Sequence, residues 1–167
     1  NTLMDISEAE AGAMHLTLKP VSLSEIIQSV CDLYEFVAED KNIVIKQNPS
    51  AQIEVVADNN RLQQAFANLI DNAIKYSPPD SVIEIGVEQN SAHTCISFTD
   101  HGTGIDPQDQ DKIWDRLYRG DRSRSEKGVG LGLSFVKAIV KAHHGTVRVT
   151  SQPHQGSTFE ILLPRVD

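Results

Sequence analysis

The chain has 167 residues, of which 40% are hydrophobic and 23% charged, and it carries a formal net charge of -8. This length and composition predict one folded domain with a sizeable core and exclude an intrinsically disordered chain. The negative charge disfavours nucleic acid and anionic lipid as partners, and no stretch is long enough for a membrane span, so we expect no direct membrane contact by this chain.

The first predicted elements are two helices separated by an extended run. Residues 2–11 have helical composition and end at Gly12, which predicts the last turns of a helix whose beginning lies outside this sequence. Ser22 and Glu25 form a capping box at the start of the second helix. The apolar residues of that helix recur at helical spacing: Ile26, Ile27, Val30, Tyr34 and Val37.

Short strands and one long helix follow. Strand-like runs at residues 43–46 and 53–57 precede Asp58, which is the predicted N-cap of a helix running to about Lys75. A Pro-Pro pair ends that helix, because proline lacks a backbone N–H and restricts the residue before it.

The second half of the chain is predicted as two hairpins around a loop and a helix. The elements are a hairpin at 83–88 and 96–99, a loop with a short helix near 110–116, a helix at 131–144 ended by Gly145, and a hairpin at 147–150 and 157–163. This order predicts an α/β (α+β) fold, a two-layer sandwich with a mixed, mainly antiparallel sheet packed on three helices. The P-loop pattern and a strand-linked G-x-G-x-x-G are both absent.

Three polar residues share one face of the helix that follows Asp58. Asn68, Asn72 and Lys75 occupy positions i, i+4 and i+7, within roughly 60° of one another. Asn is unfavourable inside a helix because its amide competes for backbone hydrogen bonds, although a solvated face also explains the pattern. The other interpretation is a phosphate site, in which amide oxygens are ligands for magnesium and Lys75 neutralises phosphate charge.

Two glycine-rich segments flank a loop with six Lys and Arg residues. Asp100, Gly102, Gly104 and Ile105 form a D-x-G-x-G turn after a strand, where glycine permits positive φ and close backbone approach. The second segment leads into a helix, whose free amides favour an anion. Its residues are Gly128, Gly130, Leu131 and Gly132. Taken singly, each segment is explained equally well by a tight turn or a flexible loop.

Five motifs occur in one order: N-L-I-D-N-A-I-K-Y-S at residues 68–77, D-x-G-x-G, the basic loop, G-x-G-L-G-L, and G-S-T-F at residues 156–159. Together they resemble the catalytic domain of sensor histidine kinases, within the wider ATPase group that has the Bergerat fold. The resemblance covers about residues 22–164. It implies ATP and magnesium as cofactors and a mobile ATP lid between the two glycine segments.

The resemblance also implies roles for individual residues. Asp100 accepts a hydrogen bond from the adenine amino group, Tyr76 lies against the purine or ribose, and Asn72 holds magnesium. The implied catalytic residues are Asn68, Lys75 and Arg119. The implied nucleotide-binding residues are Asn68, Asn72, Lys75, Tyr76, Asp100, Gly102, Gly104, Ile105, Tyr118, Arg119, Arg124, Lys127, Gly128, Gly130, Leu131, Gly132 and Thr158. Trp114 and Leu117 stand where the lids of the family often have Phe.

The residue at position 68 favours phosphate transfer over hydrolysis. Relatives that hydrolyse ATP, such as gyrase and the Hsp90 chaperones, carry an acidic residue one helical turn before the magnesium Asn, where this chain has Asn68. An amide cannot act as a general base, so we expect the phosphate to pass to a histidine. Two alternatives stay open: a nucleotide-binding regulatory module without transfer, and an anti-sigma-type serine kinase.

The acceptor histidine is not recognisable in this sequence. Residues 1–12 look like the end of the second helix of a dimerisation domain that bears it, and residues 13–167 form the catalytic domain. The resemblance implies that dimerisation domain and a cognate response regulator as partners, in the cytoplasmic portion of an inner-membrane sensor protein.

Cys31 and Cys95 match no metal or redox spacing and are predicted to be reduced thiols in or near the core. All six histidines are predicted to lie at the surface or in turns: His15, His93, His101, His143, His144 and His154.

Overall fold

The computed structural model describes residues 2–48, 52–115, 118 and 132–165. Its helices and strands are, in chain order, α1 (Thr2–Glu10), β1 (Lys19–Ser22), α2 (Leu23–Leu33), α3 (Glu35–Asp40), β2 (Val44–Gln47), β3 (Glu54–Ala57), α4 (Asn59–Tyr76), β4 (Val82–Gln89), β5 (His93–Asp100), α5 (Gly132–Ala142), β6 (Thr146–Gln152) and β7 (Gly156–Pro164).

The main sheet has five strands in the order β2-β4-β5-β7-β6. β2 and β4 pair in parallel, and the other neighbouring strands pair antiparallel. β1 and β3 form a separate antiparallel pair. Buried and more exposed residues alternate along β4, β5 and β7, so one face of the sheet lies against the helices. The predicted two-layer α/β sandwich with a mixed, mainly antiparallel sheet is confirmed.

The central helix of the helical layer is α4, which contacts both α2 and α5. Asp58 caps it as predicted, because the carboxylate of Asp58 accepts a hydrogen bond from the backbone N–H of Arg61 at 3.1 Å. Phe66 is buried on the sheet side, with its ring centroid 5.5 Å from that of Phe98 on β5. This packing fixes the rotation of α4 and directs the Asn68 and Asn72 positions to another side of the helix.

The predicted second helix is divided in two at Tyr34. Tyr34 has φ -101° and ψ 6°, which ends α2 and begins α3. The break changes the direction of the side chains that follow, so Ala38 is buried while Val37 is 48% exposed. The prediction of one continuous helix was therefore wrong, and Val37, although it recurs at helical spacing, is not part of the buried face.

The short helix predicted near residues 110–116 is also absent from the described part of that range. Residues 107–114 form successive turns, with N–H donation from Asp109 to the Asp106 carbonyl and from Lys112 to the Asp109 carbonyl. Trp114 nevertheless reaches the core, where its ring meets Phe159 edge-on with the centroids 5.8 Å apart.

His143 is buried, and the prediction of a surface or turn position for it was wrong. The backbone N–H of Asp58 donates to Nε2 of His143 at 3.0 Å, so the proton of the neutral ring lies on Nδ1, which donates to the Ile139 carbonyl at 2.8 Å. The Asp58 carboxylate also accepts from the backbone N–H of Thr17 at 2.8 Å. Burial lowers the pKa of His143 from its ordinary value. Asp58 thus joins the N-terminal segment to α4 and to the end of α5.

The N-terminal helix α1 packs against α5 through the buried residues Ile6 and Ala9. A half-buried ion pair at 3.5 Å joins Asp5 of α1 to Arg61 of α4. The two cysteines are free and half-buried, as predicted. Among the helices that the structure describes, none combines the length and the apolar character needed to cross a membrane.

Candidate nucleotide-binding site

One wall of the candidate site is the polar side of α4. Asn68, Asn72 and Lys75 are all half-buried there. The side-chain amide carbon of Asn68 lies 3.9 Å from the position that a β-carbon on Gly132 would occupy, at the start of α5. Neither asparagine amide forms a hydrogen bond within the part of the chain that the structure describes, whereas Lys75 pairs with Asp71 at 2.9 Å. Two half-buried amides are therefore available to a ligand.

The end of α4 meets the first glycine turn at Tyr76. The backbone N–H of Thr103 donates to the Tyr76 carbonyl at 3.3 Å. A β-carbon at Gly102 would overlap that same carbonyl oxygen, so the close approach requires glycine. This contact brings together two motifs that are separated in sequence.

Asp100 is the last residue of β5 and is only 6% exposed. Its Oδ1 accepts a hydrogen bond from the Gly102 N–H at 2.9 Å. Burial raises the pKa of the Asp100 carboxyl, and backbone hydrogen bonds from Gly102 and Ser157 and the neighbouring His101 oppose that rise. No Lys or Arg among the described residues pairs with it. A buried carboxylate without a cation is costly, and a ligand that donates hydrogen bonds would reduce the cost.

The turn after Asp100 is seated on the β6–β7 hairpin. Gly104 has φ +69°, and a β-carbon there would overlap the Gln152 carbonyl. The Ile105 N–H donates to the Ser151 hydroxyl at 2.8 Å. Gly156, with φ +90°, passes so close to the Asp100 carbonyl that it too requires glycine. These contacts fix the backbone that carries Asp100.

Two predicted site residues lie apart from this cluster. Thr158 pairs with Thr99 along the sheet, and their hydroxyl oxygens are 3.0 Å apart. Successive side chains on a strand point to opposite faces of the sheet, so Thr99 and Thr158 lie on the face opposite to Asp100. The hydroxyl of Tyr118 donates to Asp109 at 2.6 Å, in the turns after the glycine segment. The structure does not bring either hydroxyl to the Asp100 carboxylate.

Sequence reasoning missed two residues beside the site. Ser157 is buried and pairs with Asp100 in the sheet register, a pairing that the G-S-T-F motif does not indicate. Ser77 directly follows Tyr76, and its hydroxyl is the one buried side-chain oxygen without a hydrogen-bond partner among the described residues. Its place in the N-L-I-D-N-A-I-K-Y-S motif was the available signal.

Six of the predicted site residues lie outside the described residues: Arg119, Arg124, Lys127, Gly128, Gly130 and Leu131. The described residues that remain suit a magnesium nucleotide. Within the described ranges, no group of three or more His, Cys, Asp or Glu side chains could hold a metal alone. Magnesium commonly takes one or two protein ligands together with phosphates and water, so a single Asn amide fits it.

Residues 57–167 match the family described as histidine kinase-, DNA gyrase B-, and HSP90-like ATPase. The chain belongs to this ATPase family. The matched range contains every residue predicted for the site, and ATP is the nucleotide that membership of the ATPase family implies.

Within this broad family, the relatives and solved structures that resemble the chain are histidine kinases. The sensor-like histidine kinases SenX3 of Mycobacterium bovis and Mycobacterium tuberculosis are 35% identical over 97% of this chain, which spans 40% of their length. The catalytic domain of histidine kinase ThkA superposes with a TM-score of 0.80 at 25% identity, covering 90% of this chain and 97% of that domain. Full-length ShkA in complex with AMPPNP has a TM-score of 0.86 at 25% identity, covering 100% of this chain and 35% of ShkA.

These likenesses confirm the resemblance inferred from the five motifs. The five-stranded, mostly antiparallel sheet packed on helices is the architecture of histidine kinase catalytic domains, so the predicted Bergerat-type sandwich is confirmed as well.

Proposed function

We propose that this chain binds ATP with magnesium and transfers the γ-phosphate to a histidine on a helical dimerisation domain, as the catalytic part of a two-component sensor kinase. The observation that carries the proposal is the buried Asp100 carboxylate, which has backbone donors but no cation partner among the described residues. A buried acceptor of this kind suits the amino group of adenine.

The residues around Asp100 divide between the two ends of the nucleotide. Asp100 would accept a hydrogen bond from the base, and Tyr76, next to the glycine turn, would lie against the purine or ribose. Asn72 offers a neutral oxygen to the metal, while Asn68 and Lys75 lie on the same side of α4 to bind phosphates. Bound magnesium would neutralise phosphate charge, which is a large part of catalysis in phosphoryl transfer.

The lid residues complete the proposed site. Arg119 is the proposed catalytic cation of the lid, and Arg124 and Lys127 would stand near the triphosphate with it. Gly128, Gly130 and Leu131 would supply backbone amides ahead of α5. All six lie outside the described residues.

Transfer rather than hydrolysis is supported by the amide at position 68. Asn68 is half-buried on the phosphate side of α4, and an amide cannot remove a proton from water. The nucleophile must therefore come from elsewhere. The proposed source is a helical hairpin that ends in α1, with residues 1–12 as its end and residues 13–167 as the catalytic domain.

The proposed partners are that hairpin and a cognate response regulator, and the proposed location is the cytoplasmic portion of an inner-membrane sensor. The similarity to SenX3, a sensor-like histidine kinase, supports a place in a sensor kinase. Nucleic acid is not a proposed partner, because the chain carries a net charge of -8.

The decisive experiment supplies the hairpin of a related kinase, in cis or in trans, together with magnesium and labelled ATP. We expect label on its histidine that is labile in acid and stable in base. A hairpin whose histidine is replaced by glutamine is the control. Label on serine, or release of free phosphate without labelled hairpin, would contradict the proposal.

A binding measurement separates nucleotide recognition from transfer. Magnesium-ATP is expected to raise the melting temperature of the chain, as any ligand specific for the folded state does. The variant Asn72→Asp should reduce the shift in melting temperature, because the carboxylate that it adds would repel the negatively charged phosphates. Well-folded protein that shows no nucleotide-dependent shift would rule out the proposed site.

A further inference from the structure

Lys41 occupies the turn between α3 and β2, outside all five motifs. Its backbone is held at both ends: its N–H donates to the Ala38 carbonyl at 3.1 Å, and its carbonyl accepts from the Asp80 N–H at 3.1 Å. Asp80 belongs to the loop after α4. This backbone contact ties the turn of Lys41 to the end of the helix that carries the asparagine face.

The ammonium group of Lys41 donates to three backbone carbonyls at the end of α4. The acceptors are the carbonyl oxygens of Ile74 at 2.9 Å, Lys75 at 3.2 Å and Ser77 at 3.0 Å. An ammonium has three donors, so its hydrogen-bonding capacity is filled by this one helix end. The side chain is half-buried, and it forms no ion pair with a carboxylate in the described part of the chain.

These carbonyls need Lys41 because of the prolines that follow the helix. In an α-helix the carbonyls of Ile74 and Lys75 would accept from the N–H groups four residues later, at positions 78 and 79. Both positions are proline, which has no N–H. Lys41 supplies the missing donors and places a positive charge at the negative end of the helix dipole.

The other two carbonyls at the end of α4, those of Ala73 and Tyr76, accept from backbone N–H groups, and the donor to Tyr76 belongs to the nucleotide site. The Ala73 carbonyl accepts from the Ser77 N–H at 3.1 Å, within the helix end. The Tyr76 carbonyl accepts from Thr103, in the glycine turn that follows Asp100. Lys41 and the glycine turn thus both bind carbonyl groups at the end of α4.

We propose that Lys41 is a positioning residue for the nucleotide site: by closing the last turn of α4, it holds Lys75 in place and keeps the Tyr76 carbonyl against the glycine turn of Asp100. The inference rests on the proposed nucleotide-binding function. Lys41 acts through the helix end and does not itself touch the nucleotide.

The first test measures the affinity of the folded chain for magnesium-ATP, by calorimetry well below the unfolding temperature. Lys41→Met keeps the aliphatic length and removes the donors, and it is expected to weaken binding about tenfold, the scale of losing charge-assisted hydrogen bonds. Lys41→Arg, which keeps the charge and the donors, should restore most of the affinity. Lys46→Met is the matched control, because Lys46 is an exposed lysine on β2, and it should bind as the parent chain does.

The second test needs no nucleotide. Amide hydrogen exchange at Thr103 and Ser77 should be faster in Lys41→Met than in the parent chain and in Lys46→Met, because the helix end and the turn docked on it open more often. If Lys41→Met does not fold, Lys41→Gln provides the same comparison. It keeps two donors without the charge, and intermediate exchange and affinity are expected.

The two tests distinguish the failure of each proposal. If the parent chain binds no magnesium-ATP, the proposed function fails, and the exchange rates then show whether Lys41 closes the helix end. If the parent chain binds and Lys41→Met binds equally well, the positioning role is wrong. The positioning role would also be wrong if Lys41→Met lowered the free energy of unfolding in urea without changing the affinity for magnesium-ATP. In that case Lys41 would stabilise the fold only.

Discussion

The buried Asp100 carboxylate lowers the stability of the fold and is also the proposed acceptor for the adenine amino group. Its burial costs free energy when the group is ionised, and its backbone donors recover only part of that cost. Natural proteins keep such groups where a ligand uses them. We therefore expect Asp100 to matter more for nucleotide binding than for folding.

The variant Asp100→Asn tests this expectation. The amide oxygen can still accept from the Gly102 N–H, but the charge that favours the adenine amino group is lost. Binding of magnesium-ATP should weaken at least about tenfold, while the free energy of unfolding without nucleotide stays equal or rises. Calorimetry and urea titration measure the two quantities. Asp111→Asn, at an exposed carboxylate in the turns at 107–114, should change neither, and a large stability loss in Asp100→Asn would contradict the prediction.

The raised pKa of Asp100 also predicts a pH dependence. A carboxyl whose folded-state pKa lies above its unfolded value contributes stability that is fully present below the unfolded pKa and is lost as the pH rises through the folded one. The parent chain should therefore gain unfolding free energy relative to Asp100→Asn as the pH falls. Nucleotide affinity should fall over the same window, because the protonated acid no longer accepts equally well. Urea titrations and binding isotherms across a pH series would show these opposite trends, and parallel trends would refute them.

Single residues also show which parts of the candidate site could be predicted from the sequence and which could not. The motifs predicted that Asp100, Gly102 and Tyr76 share a site, and the structure brings them together through the Thr103–Tyr76 hydrogen bond. Thr158 was chosen from the same motif as Ser157, but only the register of β5 and β7 shows which of the two side chains faces Asp100. Strand parity depends on pairing, which a motif does not encode.

At the scale of elements, local signals predicted the helices with strong caps. The Asp58 cap and the Pro-Pro stop define α4 within a few residues, because each acts on the adjacent backbone. The break at Tyr34 and the turns at 107–114 were missed, since helical composition continues across both. The buried position of His143 could not be predicted either, because its partner on Asp58 is 85 residues away in sequence.

His143 makes the junction of α4 and α5 sensitive to acid. Its folded-state pKa is lowered by burial, so the unfolded chain binds the proton more tightly and stability falls as the pH drops from the ordinary histidine pKa toward the folded one. Protonation would also place a second donor against the Asp58 N–H. His143→Gln should reduce the stability lost between about pH 7.5 and about pH 5.5, whereas His93→Gln, at an exposed site, should not. Urea unfolding at both pH values is the measurement, and an unchanged pH slope in His143→Gln would contradict it.

At the scale of the whole molecule, the N-terminal helix α1 packs against α5 through buried apolar side chains. Ile6 is 0% exposed against α5, while Met4 on the same helix is 63% exposed. Ile6→Ala should lower the free energy of unfolding by about 3 kcal/mol, and Met4→Ala should change it by less than about 0.5 kcal/mol. Urea titration tests this difference. Affinity for magnesium-ATP should persist in folded Ile6→Ala, because α1 packs mainly on α5, and a lost affinity would assign α1 to the site.

The hydrogen bonds at Asp58 span 41 residues to Thr17 and 85 residues to His143. A ribosome delivers these three residues in order, so Thr17 and Asp58 have left the exit tunnel long before α5 exists. Until His143 emerges, the buried N–H of Asp58 lacks its acceptor, and the segment after α1 has an incomplete anchor. The segment that carries Thr17 therefore gains its complete anchor through Asp58 only after the end of α5 has been made.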